Sequence, residues 1–264
     1  MKKLLSVGII LLATGCIMFG VLLASGKFNR NIVDEMNFDW PWLRADYYNH
    51  KDESFTYQDV NYIKIDGDML QIKFLLSSDD DIHVEAKLYY GDYLSQSLNA
   101  NGELDLVVHS GKTVMRNRAS ILTIYIPKNV VFEGVEIDNE MSEIEIKYIQ
   151  AKYLDIDTEM ANITIEEGHV NRLYVEMSMA DFKFTGQILE FAEVSNEMGS
   201  ITMTLYNNEE EVGYHIKNAM GNVSVGDKHH SGFDGSMSDN EHAPVFLELE
   251  NSMGEIKVIF RKQG

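Results

Sequence analysis

The fold is decided by four segments: VEIDNEMSEIEI (135–146), LDIDTEMANITI (154–165), LYVEMSMADFKF (173–184) and AEVSNEMGSITM (192–203). Their central methionines are spaced by 19 residues. Two further copies, YHIKNAMGNVSV (214–225) and LELENSMGEIKV (247–258), follow after gaps of 22 and 33 residues between methionines. Self-similarity at a period near 20 residues is the sequence signature of a solenoid.

Each copy carries the same apolar pattern around its methionine. Apolar or aromatic residues lie six and four positions before it, and three and five positions after it. Residues two apart share one face of a β-strand, so each copy is predicted to be two short strands joined by a tight turn. The residue after the methionine is always small. Gly199, Gly221 and Gly254 suit a turn that needs a positive φ or a close backbone approach.

Stacking the copies completes the architecture. A strand of three or four residues cannot bury its apolar face alone, but rungs stacked about 4.8 Å apart share one continuous core. We therefore predict an all-β fold, a parallel β-helix with short rungs. The constant offset of the methionines predicts an in-register ladder at one corner, formed by Met141, Met160, Met179, Met198, Met220 and Met253. An antiparallel sandwich is the alternative, although it gives no reason for one side-chain type to recur at one offset.

The repeat is predicted to begin earlier in a degenerate form. Ile63, Ile65, Met69, Ile72 and Phe74 keep the offsets, with Leu70 in place of the small residue. Alternation predicts further strands at 82–88, 103–108 and 121–126, the last of them closed by Pro127.

The N-terminus is predicted to be a membrane anchor. Residues 4–24 form an uncharged apolar run long enough to cross a bilayer as a helix, and Lys2 and Lys3 before it favour an N-terminus held inside. A cleaved signal peptide and a lipoprotein signal ending at Cys16 are the alternatives. The predicted organisation is an anchor (1–27), a juxtamembrane or capping segment (28–54) and a β-solenoid (55–264) at the cell surface.

The exported part is strongly acidic. All 42 acidic residues lie beyond residue 27, together with 19 of the 22 basic ones, because the first 27 residues hold three lysines and no acid. This balance disfavours nucleic acid as a partner and favours a cationic envelope protein or peptide. Cys16, the sole cysteine, lies in the apolar run, so the exported part has no disulfide.

Three units carry a resemblance to a known family: Met198-Gly199-Ser200-Ile201-Thr202-Met203, Met220-Gly221-Asn222-Val223-Ser224-Val225 and Met253-Gly254-Glu255-Ile256-Lys257-Val258. Together with Leu122-Thr123-Ile124-Tyr125-Ile126-Pro127, they resemble the "putative adhesin" domain family of bacterial envelope proteins. The resemblance covers roughly residues 55–260. It implies a right-handed parallel β-helix at the cell surface and supplies no catalytic residue.

Signatures of catalysis and of bound cofactors are missing from the sequence. It contains neither a G-x-S-x-G elbow, nor an H-E-x-x-H motif, nor a cysteine pair for zinc. Glu140, Glu159 and Glu197 precede three of the methionines, and such stacked carboxylates could attract Ca²⁺. The segment 226–244 is predicted to be an exposed loop suited to partner recognition. Its His229, His230, Asp234 and His242 are the candidate metal ligands.

The sequence thus predicts a non-catalytic interaction module anchored in the cell membrane by residues 4–24, without a cofactor. The alternative is a polysaccharide-active enzyme on a β-helix scaffold. Only six residues follow Val258, which predicts an open edge at the last rung and end-to-end association of copies.

Overall fold

Most of the described chain is β-strand. The computed structural model describes residues 50–89, 91–111 and 118–261, all within the compact unit Asp46–Gly264. These residues contain no helix long and apolar enough to span a membrane. The predicted anchor 1–27 and residues 28–49 of the predicted capping segment lie outside the described residues.

The strands follow one another with one short 3₁₀ helix, Glu209–Glu211, before the ninth. They are β1 (His50–Tyr57), β2 (Tyr62–Leu76), β3 (Ile82–Tyr89), β4 (Tyr93–Leu98), β5 (Glu103–His109), β6 (Ser120–Ile126), β7 (Gly134–Ile146), β8 (Ile149–Leu205), β9 (Val212–Val225), β10 (Lys228–Asp239) and β11 (Val245–Phe260). The all-β prediction is confirmed, and β3, β5 and β6 match the three strands predicted from alternation.

The parallel strands form a stack of rungs. In the described part of the chain, their spatial order is rung 1 (β5 with β6), rung 2 (β2), rung 3 (β7), rungs 4, 5 and 6 (154–165, 173–184 and 192–203 of β8), rung 7 (β11) and rung 8 (β9). The register is constant, since Met69 pairs with Met141, Met141 with Met160, and Met253 with both Met198 and Met220. The degenerate repeat predicted at Ile63–Phe74 is therefore a true rung.

The inward positions of the rungs form the core. The apolar residues six and four before each methionine, and three and five after it, are buried in every rung from 2 to 8. A third buried segment closes each coil of β8, as shown by Ala151, Val170 and Ile188. One continuous apolar interior therefore runs through the stack.

The corner at each methionine is a bend within a strand, and the tight turn predicted there is wrong. Each of β7, β9 and β11 continues through its methionine, and β8 continues through three corners without a break. Gly199, Gly221 and Gly254 have φ values of 132°, 140° and 139°, as predicted for glycine. Ala161 and Ala180 do not have a positive φ, so their corners bend without left-handed backbone.

The last two rungs are stacked in the reverse of their chain order. β11 lies between rung 6 and β9 and pairs in parallel with both. The predicted open edge after Val258 is therefore wrong, because that strand is internal. The gap of 22 residues before β9 exceeds the regular 19 by three, and three residues form the 3₁₀ helix Glu209–Glu211. This helix lies in the connection between rung 6 and β9, which spans the position of β11 in the stack.

Antiparallel strands flank the stack at both ends. β10 pairs with β9 as a hairpin, so the loop predicted at 226–244 is wrong over most of its length. Alternate residues in this segment are small or polar, which hid its pairing from the apolar pattern. At the other end, β4 pairs with β5, β3 with β6 and β1 with β3. Within the described residues, β1, β4 and β10 each pair with a single strand and are the outer strands.

A column of asparagines ties the corners of neighbouring rungs together. Two positions before the methionine, rungs 3, 6, 7 and 8 carry Asn139, Asn196, Asn251 and Asn218, all buried. Each side-chain Nδ2 donates a hydrogen bond to a main-chain oxygen of the preceding rung. The acceptor belongs to the residue directly after that rung's methionine. These acceptors are Leu70, Ala180, Gly199 and Gly254, at 2.9–3.0 Å. The amides therefore supply hydrogen bonds at the bend.

Replacing one of these amides should destabilise the stack. Asn251→Ala removes the donor at 2.9 Å from the Gly199 oxygen, and an unsatisfied buried acceptor costs about 1–3 kcal/mol. The free energy of unfolding, measured by urea denaturation, should fall by that amount. The control is Asn162→Ala, at an exposed corner position, which should stay within about 0.5 kcal/mol of wild type. Equal effects of the two changes would contradict the structural role of the column.

A Cβ at a glycine corner should be much more costly than positive φ alone. In Gly254→Ala the new Cβ would lie 1.8 Å from the Gly199 oxygen, so the rungs would have to separate. Gly232 on β10 has a similar φ of 126° and open space around it. We expect Gly232→Ala to cost about 1–3 kcal/mol of unfolding free energy and Gly254→Ala more than about 4. Similar urea midpoints for both variants would disprove the close approach.

Candidate functional site

The outward face of the first half of the rungs is rich in charged side chains. Its side chains lie five and three positions before the methionine, alternating with the buried positions. In rungs 2 to 5, the position three before the methionine is always acidic: Asp66, Asp138, Asp157 and Glu176. We call these four residues the acidic column.

Stacking brings the acids of this column close together. Rungs are spaced by about 4.8 Å, and like charges placed opposite one another on neighbouring strands repel. The pKa of Asp157 is raised, first by burial and then by the charges of Glu176, Asp138 and Asp155. Among the described residues, none of Asp138, Asp157 and Glu176 forms an ion pair. The pairing of the rungs therefore keeps these carboxylates close together in spite of their mutual repulsion.

Lys64 compensates only one end of this face. Its Nζ lies 3.2 Å from Glu103 Oε1 and 3.4 Å from Glu136 Oε2. The pKa of Lys64 is raised, first by the hydrogen bond to Glu103 and then by the charge of Glu136. This lysine therefore neutralises acids on rungs 1 and 3 and leaves the acids farther along the stack exposed to solvent.

The acidic column lines a groove of about 690 Å³. Its lining includes Asp105 and Ser97 on the side of β4 and β5, and the acids of rungs 2 to 5 on the other. The groove is also lined by Ile65, Leu106 and Ile137, which are buried residues of the strands beneath it. A concave surface with many carboxylates and one lysine is suited to cationic groups.

Aromatic rings run beside the acids on the same face. The ring of Tyr174 lies 5.3 Å from that of Tyr153 and 5.8 Å from that of Phe191, centroid to centroid. Tyr153 and Tyr174 line a hollow of about 230 Å³ with Asp155, Glu176 and Glu193. The Tyr153 hydroxyl donates to Asp155 Oδ2 at 2.6 Å, and this hydrogen bond, with burial, raises the pKa of Tyr153. Rings and carboxylates together attract ammonium and guanidinium groups.

The methionine ladder predicted from the repeat is confirmed. Met160, Met179, Met198, Met253 and Met220 are each 38–50 % exposed, and Met69 and Met141 are half-buried. At the β10 edge the column meets Phe233, which pairs with Met220 and is 77 % exposed. We call the seven methionines the methionine corner.

The predicted metal ligands do not come together in the structure. His229 and His230 are neighbours on β10, opposite Ser224 and Val223 of β9. Asp234 lies further along the strand with a φ of 56°, and His242 is exposed in the turn before β11. No group of three or more His, Cys, Asp or Glu that could hold a metal occurs in the described ranges.

The acid ladder predicted at Glu140, Glu159 and Glu197 is interrupted. Glu140 and Glu159 adjoin on rungs 3 and 4, but rung 5 carries Ser178 at that position. The longer acidic column lies two residues earlier, at an outward position of the same strands. Its four acids all lie three positions before a methionine, so the column could have been found from the sequence. The aromatic rings alternate between two offsets, which a fixed-offset comparison misses.

The repeat region determines the family. The family described as Toastrack DUF4097 matches residues 99–259, more than half of the chain. This chain belongs to the Toastrack DUF4097 family. The match includes rung 1 and rungs 3 to 8, and thus all the methionines of the predicted repeat. The family resemblance indicated by the units at Met198, Met220 and Met253 is confirmed.

Several solved structures are similar to this Toastrack chain. A "putative cell adhesion protein" from Clostridium sporogenes is 13 % identical, with 81 % of this chain and 100 % of that chain covered and a TM-score of 0.46. A "putative adhesin" from Bacteroides fragilis is 13 % identical, with 80 % and 98 % covered and a TM-score of 0.43. A "putative lipid binding protein" from Parabacteroides distasonis is 10 % identical, with 82 % and 96 % covered and a TM-score of 0.29. No curated protein matches the chain.

Neutralising the centre of the acidic column should stabilise this Toastrack domain. The raised pKa of Asp157 means that its ionised form is disfavoured in the folded state, so folded stability increases as pH falls through that pKa. Asp157→Asn should raise the free energy of unfolding at neutral pH by up to about 1 kcal/mol, the scale of a cross-strand charge pair. The gain over wild type should disappear in acid, where Asp157 is protonated.

The control is Glu197→Gln, which also removes one negative charge. Glu197 has Ser178 and Ser252 at the same position of the adjoining rungs, so it has no acid directly above or below. Thermal unfolding at neutral and acidic pH compares the two variants. A gain for Glu197→Gln equal to that for Asp157→Asn would attribute the effect to net charge.

Proposed function

We propose that this protein is a non-catalytic interaction module of the cell surface, whose acidic face binds a cationic segment of an envelope protein or peptide. The observation that carries the proposal is the acidic column with its flanking rings. Asp138, Asp157 and Glu176 have no ion-pair partner in the described residues. Tyr153 and Tyr174 line one hollow with Glu176. Lysine and arginine are the protein groups that use both features, through salt bridges and cation–π contacts.

The electrostatics favour capture of such a partner by long-range attraction. The chain has a formal net charge of −20, and its acids on this face are fixed to a strand scaffold. A fixed charge pattern raises the association rate of an oppositely charged partner, and salt screens this effect. Binding should therefore be fast and sensitive to ionic strength.

The proposal includes the location and the handedness of the module. Residues 4–24 hold the chain in the cell membrane as a single span, and the C-terminal domain lies outside. The apolar run and the lysines that precede it support this orientation. The coil is right-handed, as in nearly all parallel strand connections. Self-association of copies is part of the proposal through the edge strand β10.

A polysaccharide-active enzyme is the second candidate. The observation that favours it is the raised pKa of Asp157 among neighbouring carboxylates, since glycoside hydrolysis uses a carboxylic acid of raised pKa beside a carboxylate. Chain shortening in a panel of polysaccharides, abolished by Asp157→Asn, would support this candidate. The proposed binding of a cationic peptide does not require any cleavage of polysaccharide.

The direct test measures binding of a fluorescent ten-residue lysine peptide to the purified full-length protein in detergent. The triple variant Asp138→Asn, Asp157→Asn, Glu176→Gln should bind about tenfold more weakly, because three charge contacts are worth about 0.2–1 kcal/mol each. The matched control removes the same charge from the 3₁₀ helix through Glu209→Gln, Glu210→Gln and Glu211→Gln. It should bind like wild type.

The control distinguishes an effect of the acidic face on peptide affinity from an effect of total net charge. If both triple variants lose the same affinity, the peptide responds only to the total charge, and the proposed face is wrong. A wild-type affinity that does not change with salt would also contradict an electrostatic mode of binding.

A further inference from the structure

The methionine corner is the most uniform position of the repeat. Methionine occupies it in all seven rungs from 2 to 8, and these seven are half of the 14 methionines in the chain. The residue after it varies among leucine, serine, alanine and glycine, and the residue before it varies among aspartate, glutamate, serine and alanine. The residues on either side of this position thus differ between the copies, while the methionine is the same in all seven.

Burial and strand propensity do not explain this constancy. Five of the seven methionines are 38–50 % exposed, so the position is not part of the core. Strands favour β-branched and aromatic residues, and an apolar ridge could equally be built from leucine or isoleucine. What distinguishes methionine is a flexible, unbranched side chain with a sulfur atom.

The register places these sulfur-bearing side chains next to one another. Methionines on adjoining rungs are direct partners, as in Met141 with Met160 and Met198 with Met253. Adjoining rungs are about 4.8 Å apart, and each side chain has three rotatable bonds. Thioether sulfurs from two or three successive rungs can therefore converge on one ion. Soft thioether ligands select Cu(I) among biological metals.

We propose that the methionine corner is a binding site for Cu(I), held by thioether sulfurs from two or three successive rungs. The site differs from the His229, His230, Asp234 and His242 set and from the acidic groove, and it does not depend on the proposed function. The acids that precede the methionines, Asp68, Glu140, Glu159 and Glu197, lie along the same edge and attract the cation electrostatically. Because a thioether carries no proton, binding continues at acidic pH, unlike binding at carboxylates or histidines.

The spatial order of the methionines differs from their chain order and permits a sharp test. Along the stack the order is Met69, Met141, Met160, Met179, Met198, Met253 and Met220. The alternating variant Met141→Leu, Met179→Leu, Met253→Leu leaves four methionines, none of which adjoins another. The terminal variant Met69→Leu, Met141→Leu, Met160→Leu also leaves four, all on successive rungs. Both keep an apolar corner of nearly the same volume.

The experiment titrates full-length protein in detergent with Ag(I), a redox-inert ion of the same coordination preference, and with Cu(I) in competition with a chromophoric chelator. All proteins carry Cys16→Ser, so that the thiol does not bind the metal. The terminal variant should retain wild-type affinity. The alternating variant should bind at least about tenfold more weakly, because the rungs that keep a methionine are two apart and a second sulfur no longer lies beside the first. Wild-type binding should persist at acidic pH.

Circular dichroism and thermal unfolding establish that the variants fold, which is expected because Met-to-Leu exchanges cost less than about 1.5 kcal/mol. Met177→Leu with Met203→Leu, at two buried positions, is a further control and should leave binding unchanged. Equal affinities of the alternating and terminal variants would overturn the proposal. Loss of wild-type binding in acid, or no binding tighter than that of the alternating variant, would overturn it as well.

Discussion

The structure depends on the hydrogen-bonded register between rungs. Main-chain groups that are shielded from water must be paired, and a half-rung of four residues can pair only with its neighbours above and below. Once the register is fixed, each position of the repeat stacks on itself. Ile144 pairs with Ile163, which builds the core, and Asp138 pairs with Asp157, which builds a repelling column outside. The same constraint thus produces both the stabilising interior and the strained acidic face.

The rung itself could be predicted from the sequence because its signal is periodic. Apolar residues at fixed offsets defined the inward positions, and Met69 with Phe74 revealed a degenerate rung that the structure confirms. The order of the rungs could not be predicted in the same way. All copies share one pattern, so Met198 could pair with Met220 or with Met253 equally well, and the register does not distinguish these neighbours. The three additional residues before β9 were the one local signal of the reversal.

The outward faces were predicted less completely because their chemistry does not obey a single offset. The acids three positions before the methionines could have been found by the rule that located Glu140 and Glu159. The ring contact between Tyr153 and Tyr174 is diagonal, since the two residues lie seven and five positions before their methionines. The buried asparagines were visible in four copies. Their role requires knowledge of which main-chain oxygens remain to be satisfied at a bend, and only the folded corner provides this.

The insertion of β11 between rung 6 and β9 also determines how this chain is made and how it bears load. Rung 6 and β9 have no common partner until β11 is present, so the end of the stack cannot close before that strand has been synthesised. Contacts between residues so distant in sequence slow folding. A pulling force on the C-terminus would act on a strand bonded on both sides, and two parallel ladders would have to shear together. The stack would thereby resist unravelling when β11 is pulled.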